Sequence, residues 1–385
     1  MPQDFNPAYP SIANLRAKAR RRIPRFAFEY LDGGCNENIN LHRNTADLRE
    51  VELIPHYLRD FNGASLKTKL FGVEYDAPVG ISPIGLQGLI WPRATEILAQ
   101  TAMKYNIPFC LSTVATSDIE TVSKITNGRA WFQLYHPTDN ALTDDLLKRA
   151  HQAGVPVLVL LCDVPTFGFR PHDIRNGLSM PPKMSVRNFL QIFGKPHWAL
   201  RTLMNGQPEF ANLKPYMPKN LDLQQLGKFM DQTFTGRLNA AKIARIRERW
   251  KRKIVLKGVA NEADAAEAVR LGLDGIIVSN HGGRQLDAGE ASIHPLRRIA
   301  KKYGGQIVVM HDSGLRTGPD IARSMASGAV FTWMGRSFMY GTAALGARGG
   351  DHTIAMLKLQ LQQVMEQLCC EKVGNLKDHL QEQHR

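Results

Sequence analysis

Cysteine is scarce in this chain: Cys35, Cys110, Cys162, Cys369 and Cys370 are the only five among 385 residues. The number is odd and no metal-type spacing appears. That argues against a disulfide framework or a zinc module and for a reducing compartment. Long apolar runs are also missing. The longest, Val155 to Cys162, contains a proline and is far too short to span a bilayer. The opening M-P-Q-D-F-N-P-A-Y-P holds no apolar signal core, so a cytoplasmic location is expected. Acidic residues number 35 against 49 Lys and Arg, giving a net charge of +14. The basic residues cluster at Arg16 to Arg25 and Arg237 to Lys253. No RNA or DNA motif accompanies them, so nucleic acid is not an expected partner. A solvated face or an anionic membrane surface is the better reading.

What is present is a regular alternation. From Pro78 onward, apolar runs suited to buried parallel strands fall at 78–82, 107–112, 130–135, 156–162, 253–257, 273–279, 306–311 and 328–334. Helical patterns follow most of them, for example 93–105, 139–153, 261–271 and 318–327. Eight strand–helix repeats predict an α/β fold, a closed (β/α)8 TIM barrel. An open doubly wound sheet is the alternative, but no G-x-G-x-x-G follows a first strand. An α/β barrel takes about 250 residues, more with insertions. The chain therefore reads as one domain over 1–385, with the barrel at about 78–350 and an insertion at about 175–250 after strand four. Residues 11–30 predict a helix ended by Asp32-Gly33-Gly34, and 45–75 an irregular or hairpin-like lead-in.

A barrel demands that its chemistry collect at the C-terminal ends of the strands. Polar residues and glycines do gather there. Strand one runs into Pro83-Ile84-Gly85, strand two ends at Ser112-Thr113, strand three at Gln133-Leu134-Tyr135, and strand four at Asp163. Strand five ends in Lys257-Gly258, strand seven in Asp312-Ser313-Gly314-Leu315-Arg316, and strand eight in Gly335-Arg336. Strand six leads into S-N-H-G-G-R-Q-L-D, from Ser279 to Asp287. There a histidine and an arginine stand three residues apart just beyond a buried strand. Histidine suits proton transfer near neutral pH. Arginine can clamp a carboxylate through two parallel hydrogen bonds. The pair points to a site that holds a carboxylate and removes a proton beside it. A satisfied polar loop would be the plainer reading of an isolated H-x-x-R.

The nine residues from Ser279 resemble the signature of the FMN-dependent 2-hydroxy-acid oxidising family, and the resemblance extends from about residue 12 to 380. It implies FMN as cofactor and oxidation of an L-2-hydroxy acid to the 2-oxo acid. His281 would be the base, taking a proton from the hydroxyl in a hydride route or from the α-carbon in a carbanion route. Asp163 would accept a hydrogen bond from His281 and raise its pKa. Arg284 and Tyr30, the latter in I-P-R-F-A-F-E-Y, would bind the substrate carboxylate. Tyr135, in F-Q-L-Y, would hydrogen-bond the substrate or the reduced product. Arg170, in G-F-R-P-H-D, would be a second, mobile arginine. Pro83, Ile84 and Gly85 would lie along the flavin, Ser112 and Gln133 would hydrogen-bond it, and Lys257 would face its N1 and C2 carbonyl. Ser279 and Asp312 are further expected flavin-site residues. Gly314, Arg316, Gly335 and Arg336 would take the phosphate. No metal is expected.

The D-G-G-x-x-E and D-S-G-x-R segments look most like the bacterial L-lactate and mandelate dehydrogenase branch, as does F-G-K-P-H-W-A-L-R-T-L-M-N-G. The resemblance therefore implies a quinone acceptor, with oxygen as the oxidase alternative. It also implies a homo-oligomer, a tetramer in much of the family. Two departures stand out. Leu161-Cys162-Asp163 replaces the T-V-D of many members, so a threonine contact to the flavin is lost. Val114 stands where an aromatic is common, which leaves room for a larger substrate group. In the insertion, Val186, Phe189, Leu190 and Phe193 have helical spacing, and Trp198, Leu200, Leu203 and Met204 follow. These are expected either to pack on the barrel or to contact the inner face of the cell membrane as a peripheral anchor. A non-redox FMN isomerase and a catalytically dead basic binding protein are the competing readings. The intact Tyr30, Tyr135, Asp163, Lys257, His281 and Arg284 argue against both.

Overall fold

The computed structural model describes residues 3–178, 185–218, 223–234 and 237–381. Eight parallel strands form a barrel: β1 Val79–Ile81, β2 Cys110–Ser112, β3 Trp131–Leu134, β4 Val157–Leu161, β5 Lys253–Val259, β6 Gly275–Val278, β7 Val308–Asp312 and β8 Phe331–Met334. Each pairs with the next in chain order, and β8 returns to β1 through Trp333 opposite Gly80. A single parallel bridge, Ile81 to Phe109, completes the ring between β1 and β2. The runs read from the sequence match these strands to within a few residues. Their apolar continuity arises because a parallel strand in a barrel is covered on both faces.

The predicted helix over 11–30 is two helices, Ile12–Arg22 and Arg25–Asp32. Pro24 has no N–H to continue the first, and Ile23 before it is extended at φ −108°. The lead-in is also more ordered than expected at its start, since Ile39–Arg49 is a helix. The hairpin reading holds for Thr68–Leu70 and Val73–Tyr75, which pair antiparallel. Their two-residue turn, Phe71-Gly72, has φ of 50° and 83°, the twist that tight hairpins favour.

That hairpin plugs the bottom of the barrel. Leu70, Phe71 and Tyr75 pack against the inward residues Cys110, Trp131, Val157, Val159, Val255, Ile277, Met310, Phe331 and Trp333. Trp131 and Trp333 lie 4.7 Å apart between ring centroids. Gly80 is required here, because a Cβ would come within 2.7 Å of the Trp333 ring. Side chains two residues apart share a strand face. One inward step beyond this floor come Ser82, Ser112, Gln133, Leu161, Lys257, Ser279 and Asp312, most of them polar and all buried. The core therefore gives way to a polar layer at the C-terminal ends.

The long crossover after β4 carries helices Pro171–Arg175, Val186–Phe193, Pro196–Asn205, Leu223–Phe234 and Ala240–Arg249. Residues 179–184, 219–222 and 235–236 of the expected insertion lie outside the described residues. Burial on the barrel holds for Trp198, whose indole N–H donates to the Ile90 carbonyl at 3.0 Å. It does not hold for Val186, Phe189, Leu190, Phe193, Leu200, Leu203 and Met204, all of which are exposed. Among the described residues, no helix is long and apolar enough to cross a membrane.

Candidate active site

A cavity of about 440 Å³ opens at the C-terminal mouth of the barrel. That lies within the roughly 300–1,000 Å³ of small-molecule sites. It brings together Tyr30, Tyr135, Arg170, Lys257, His281 and Arg284 with Pro83, Ile84, Gly85, Asp312, Gly314, Arg316, Gly335 and Arg336. Asp163, Ser112, Gln133 and Ser279 sit outside that lining. Two of these four contact lining residues directly: Asp163 reaches His281, and Ser279 reaches Lys257 and Asp312. Ser112 and Gln133 stand opposite each other on neighbouring strands.

His281 is held in an unusual backbone. Its φ is +58°, followed by +65° and +72° at Gly282 and Gly283. The glycines are needed: a Cβ at 282 would meet Arg336 Nη1 at 2.5 Å, and one at 283 the Leu41 nitrogen at 2.5 Å. The turn places His281 Nδ1 3.1 Å from Asp163 Oδ1. Gly258, at φ +100°, makes room for that carboxylate, since a Cβ there would lie 2.5 Å from it. The expected upward pull of Asp163 on the imidazole is present, but it does not win. Burial lowers the His281 pKa, the positive charges of Lys257 and Arg170 add to that, and the net shift is downward although Asp163 raises it. The pairing acts in the expected direction, but the net shift is downward because enclosure and the neighbouring cations together penalise the imidazolium more than one carboxylate stabilises it.

Arg284 donates from Nη1 to the backbone carbonyls of Tyr30 (2.7 Å) and Gly33 (2.9 Å), and its guanidinium lies 5.0 Å over the Tyr30 ring. Arg170 donates to Gln285 Oε1 at 3.1 Å. Asp173 stands 3.7 Å from Arg170 and 3.9 Å from Arg284, and burial raises its pKa despite both arginines. Asp173 went unassigned from the sequence, although it ends the same G-F-R-P-H-D segment that identified Arg170. Two half-buried arginines sharing one carboxylate leave positive charge available to an anion.

Lys257 is 3% exposed and sits 3.1 Å from Ser279 Oγ and 3.3 Å from Asp312 Oδ2. Burial pulls its pKa down, yet Asp312 and Asp163 outweigh that and leave it raised, so the ammonium stays charged. Asp312 also accepts from Ser82, Ser279 and Ser313 at 3.0–3.1 Å. The buried lysine is therefore paired with a carboxylate at the cavity itself. Arg336 donates to the carbonyls of Leu31, Gly282 and Gly33, and no carboxylate pairs with it among the described residues. Burial and the nearby Arg316 and Arg284 push its pKa down to about 9. Such an uncompensated cationic pair at Gly314–Arg316 and Gly335–Arg336 fits a phosphate. Beneath the cavity, the buried Gln133 amide nitrogen has no hydrogen-bond partner, as a residue awaiting a flavin acceptor would. The residues present therefore fit FMN. Leu161, in place of the family threonine, offers no hydroxyl.

One wall escaped sequence reading. Phe210 and Met230 of the crossover line the cavity, packed with Leu213, Phe234, Leu86, Val114 and Tyr135. Phe234 lies edge-on to the Tyr135 ring at 5.7 Å. Nothing in the local sequence marks Phe210 as a neighbour of Val114, so far away in the chain.

Known proteins resemble this chain over most of its length. The family model for FMN-dependent dehydrogenase matches residues 19–383. An L-lactate dehydrogenase of Caulobacter sp. is 37% identical over 92% of this chain and 93% of its own length. One from Pectobacterium atrosepticum is 39% identical over 91% of each. Among solved structures, the monotopic membrane protein (S)-mandelate dehydrogenase superposes with a TM-score of 0.91 at 31% identity, covering 97% of this chain and 99% of that one. A mandelate oxidase gives 0.83 at 29% identity, covering 97% and 98%. With a complete barrel, a mouth that fits FMN and a match along nearly its whole length, the chain belongs to the FMN-dependent dehydrogenase family, whose members oxidise 2-hydroxy acids.

Proposed function

We propose that the protein oxidises an L-2-hydroxy acid whose side group is apolar and larger than methyl, and delivers the electrons to a quinone at an anionic membrane surface. One observation carries the catalytic part: His281, paired with Asp163, and Arg284 face a single cavity above the charged Lys257. The apolar wall of Leu86, Val114, Phe210 and Met230 supports the larger side group.

The chain's residues then divide the work. Arg284, with Arg170 and the Tyr30 hydroxyl, holds the substrate carboxylate and so fixes the α-carbon. With the Nδ1 proton given to Asp163, His281 presents Nε2 as the acceptor. The lowered pKa keeps the imidazole neutral and ready at neutral pH. Asp163 stabilises the imidazolium that forms. Tyr135, whose pKa burial pushes upward, keeps its proton and offers a hydrogen bond to the substrate oxygen. Overall R–CH(OH)–COO⁻ becomes R–CO–COO⁻ with loss of two protons and two electrons. FMN, when bound, accepts those electrons. Lys257 holds positive charge where the flavin's N1 and C2 carbonyl would lie.

The membrane part draws on the exposed apolar residues of Val186–Phe193 and Pro196–Asn205. Basic residues border them: Lys195 Nζ donates to the Arg21 carbonyl at 2.6 Å, and Arg22 stacks on Trp91 at 4.0 Å. An apolar face rimmed by cations matches an anionic bilayer surface. The (S)-mandelate dehydrogenase relative is itself described as a monotopic membrane protein. The test is an anaerobic screen of 2-hydroxy acids on the FMN-loaded protein, followed by quinone or oxygen. Bleaching of the flavin by bulky L-acids, with recovery by quinone faster than by oxygen, is expected. No bleaching by any 2-hydroxy acid would end the catalytic reading. Faster recovery with oxygen would favour an oxidase.

A further inference from the structure

Helix Ile39–Arg49 lies outside the cavity but meets the back of the His281 loop through a buried cluster of amides. Asn40 and Asn44, one helical turn apart, are 0% and 1% exposed. Asn280 joins them. Its Nδ2 donates to Asn40 Oδ1 at 2.6 Å, to Asn44 Oδ1 at 2.7 Å and to the Glu290 carbonyl at 3.1 Å. Asn44 Nδ2 returns a bond to Asn280 Oδ1 at 2.8 Å and another to Asn40 Oδ1 at 3.0 Å. Asn40 Nδ2 donates to the carbonyls of Gly289 (2.6 Å) and Glu290 (3.1 Å), and Asn44 Oδ1 also accepts from Ser292 N. Every amide group in the trio is used. A fully satisfied buried network of this kind fixes one geometry.

That geometry is transmitted to the base. Asn280 Oδ1 accepts from Gly283 N at 3.2 Å, so the side chain spans the three residues of positive φ. From the other side, Ser313 Oγ accepts from Asn280 N at 3.3 Å and Gly282 N at 2.9 Å. A non-glycine residue such as His281 rarely adopts φ +58° unless its surroundings impose it. We infer that Asn40, Asn44 and Asn280 are positioning residues, which hold residues 281–283 left-handed and thereby keep the His281 imidazole on Asp163. They touch neither substrate nor cofactor. The inference rests on the reading of His281 as the base.

The test compares Asn44→Ala with Asn40→Ala. Asn44→Ala removes the reciprocal amide pair and leaves Asn280 Oδ1 and Ser292 N without that partner. Asn40→Ala leaves the Asn44–Asn280 pair in place. In the cofactor-free protein, hydrogen exchange at the Gly282 and Gly283 amides should rise at least about tenfold in Asn44→Ala and less in Asn40→Ala. In the FMN-loaded enzyme, kcat/KM should fall about 100-fold and about tenfold respectively, with flavin content unchanged. The acid limb of the pH profile in Asn44→Ala should move up toward the ordinary histidine value of about 6.5, as the imidazole leaves its enclosure. A purely structural role would lower the melting temperature without moving that limb. A folded Asn44→Ala with wild-type exchange, kcat/KM within threefold and an unmoved limb overturns the inference. Should Asn44→Ala not fold, Asn40→Ala decides by the same three readouts. If no 2-hydroxy acid reduces the wild type, the functional reading fails. The exchange comparison still stands or falls alone.

Discussion

At the floor of the barrel, Trp131, Phe331 and Trp333 lie ring to ring over the hairpin residues Phe71 and Tyr75. One inward step up the same strands, Trp131 gives way to Gln133, Ile277 to Ser279, Met310 to Asp312 and Val255 to Lys257. Both layers are buried and both follow the two-residue alternation of a strand. The floor is complete, with apolar groups closing on apolar groups. The mouth is incomplete: among the described residues, Gln133 has an amide nitrogen with no partner, Asp163 has an oxygen with none, and Arg336 is held only by carbonyls. Polar groups buried without partners lower stability. Gln133 and Asp163 lie beside the cavity, where a bound ligand would supply the missing contacts.

The sharpest way to break this contrast is to exchange the behaviour of the two ends. Trp131→Ala at the floor should destabilise the protein by about 3–5 kcal/mol, as truncation of large buried aromatics does. The protein that remains folded should keep its kcat within threefold, measured by urea unfolding beside steady-state assays. Arg284→Met at the mouth should do the reverse. It should lower kcat/KM by about 100–1,000-fold, consistent with a buried charge contact of roughly 2–5 kcal/mol, while the melting temperature changes little. A loss of stability in Arg284→Met equal to that of Trp131→Ala would erase the distinction.

A finer test lies in pH. Burial holds the His281 pKa below its ordinary value, so the neutral base persists below about pH 6.5 and activity falls only on further acidification. Asp163 opposes that downward shift. Asp163→Asn should therefore move the acid limb of kcat/KM to still lower pH, and should reduce the plateau by about 100-fold through loss of the held tautomer. A limb that moves to higher pH would contradict the assigned pairing. The smallest effect is expected at Gln133→Leu. Removing an unpartnered amide should leave the cofactor-free protein as stable or up to about 1 kcal/mol more stable, and should weaken FMN binding, read by calorimetry.

Much of the mouth was legible because a barrel strand is short and its terminus is sharply marked. The change from Ile-Ile-Val to Ser-Asn-His fixes where β6 ends, and the same change recurs at Lys257, Asp312 and Gly335. The fold followed from repetition of that pattern. What was not legible depends on contacts between distant segments. Pro24 splits a pattern that looks like one continuous helix, and no motif singles out Asn40 and Asn44. The net direction of the His281 pKa was not legible, because a motif reveals the carboxylate partner but neither the enclosure nor the neighbouring cations. The apolar wall of Phe210 and Met230 comes from a crossover whose spacing carries no period in common with the barrel.

The central claim is that His281 takes the substrate proton while Arg284, with Arg170 and Tyr30, secures its carboxylate end. Anaerobic stopped-flow mixing of the FMN-loaded His281→Gln variant with the best L-2-hydroxy acid tests it directly. The account predicts a flavin reduction rate constant at least about 1,000-fold below wild type, with the substrate concentration for half-saturation within a few-fold of wild type. Reduction within tenfold of the wild-type rate would contradict it.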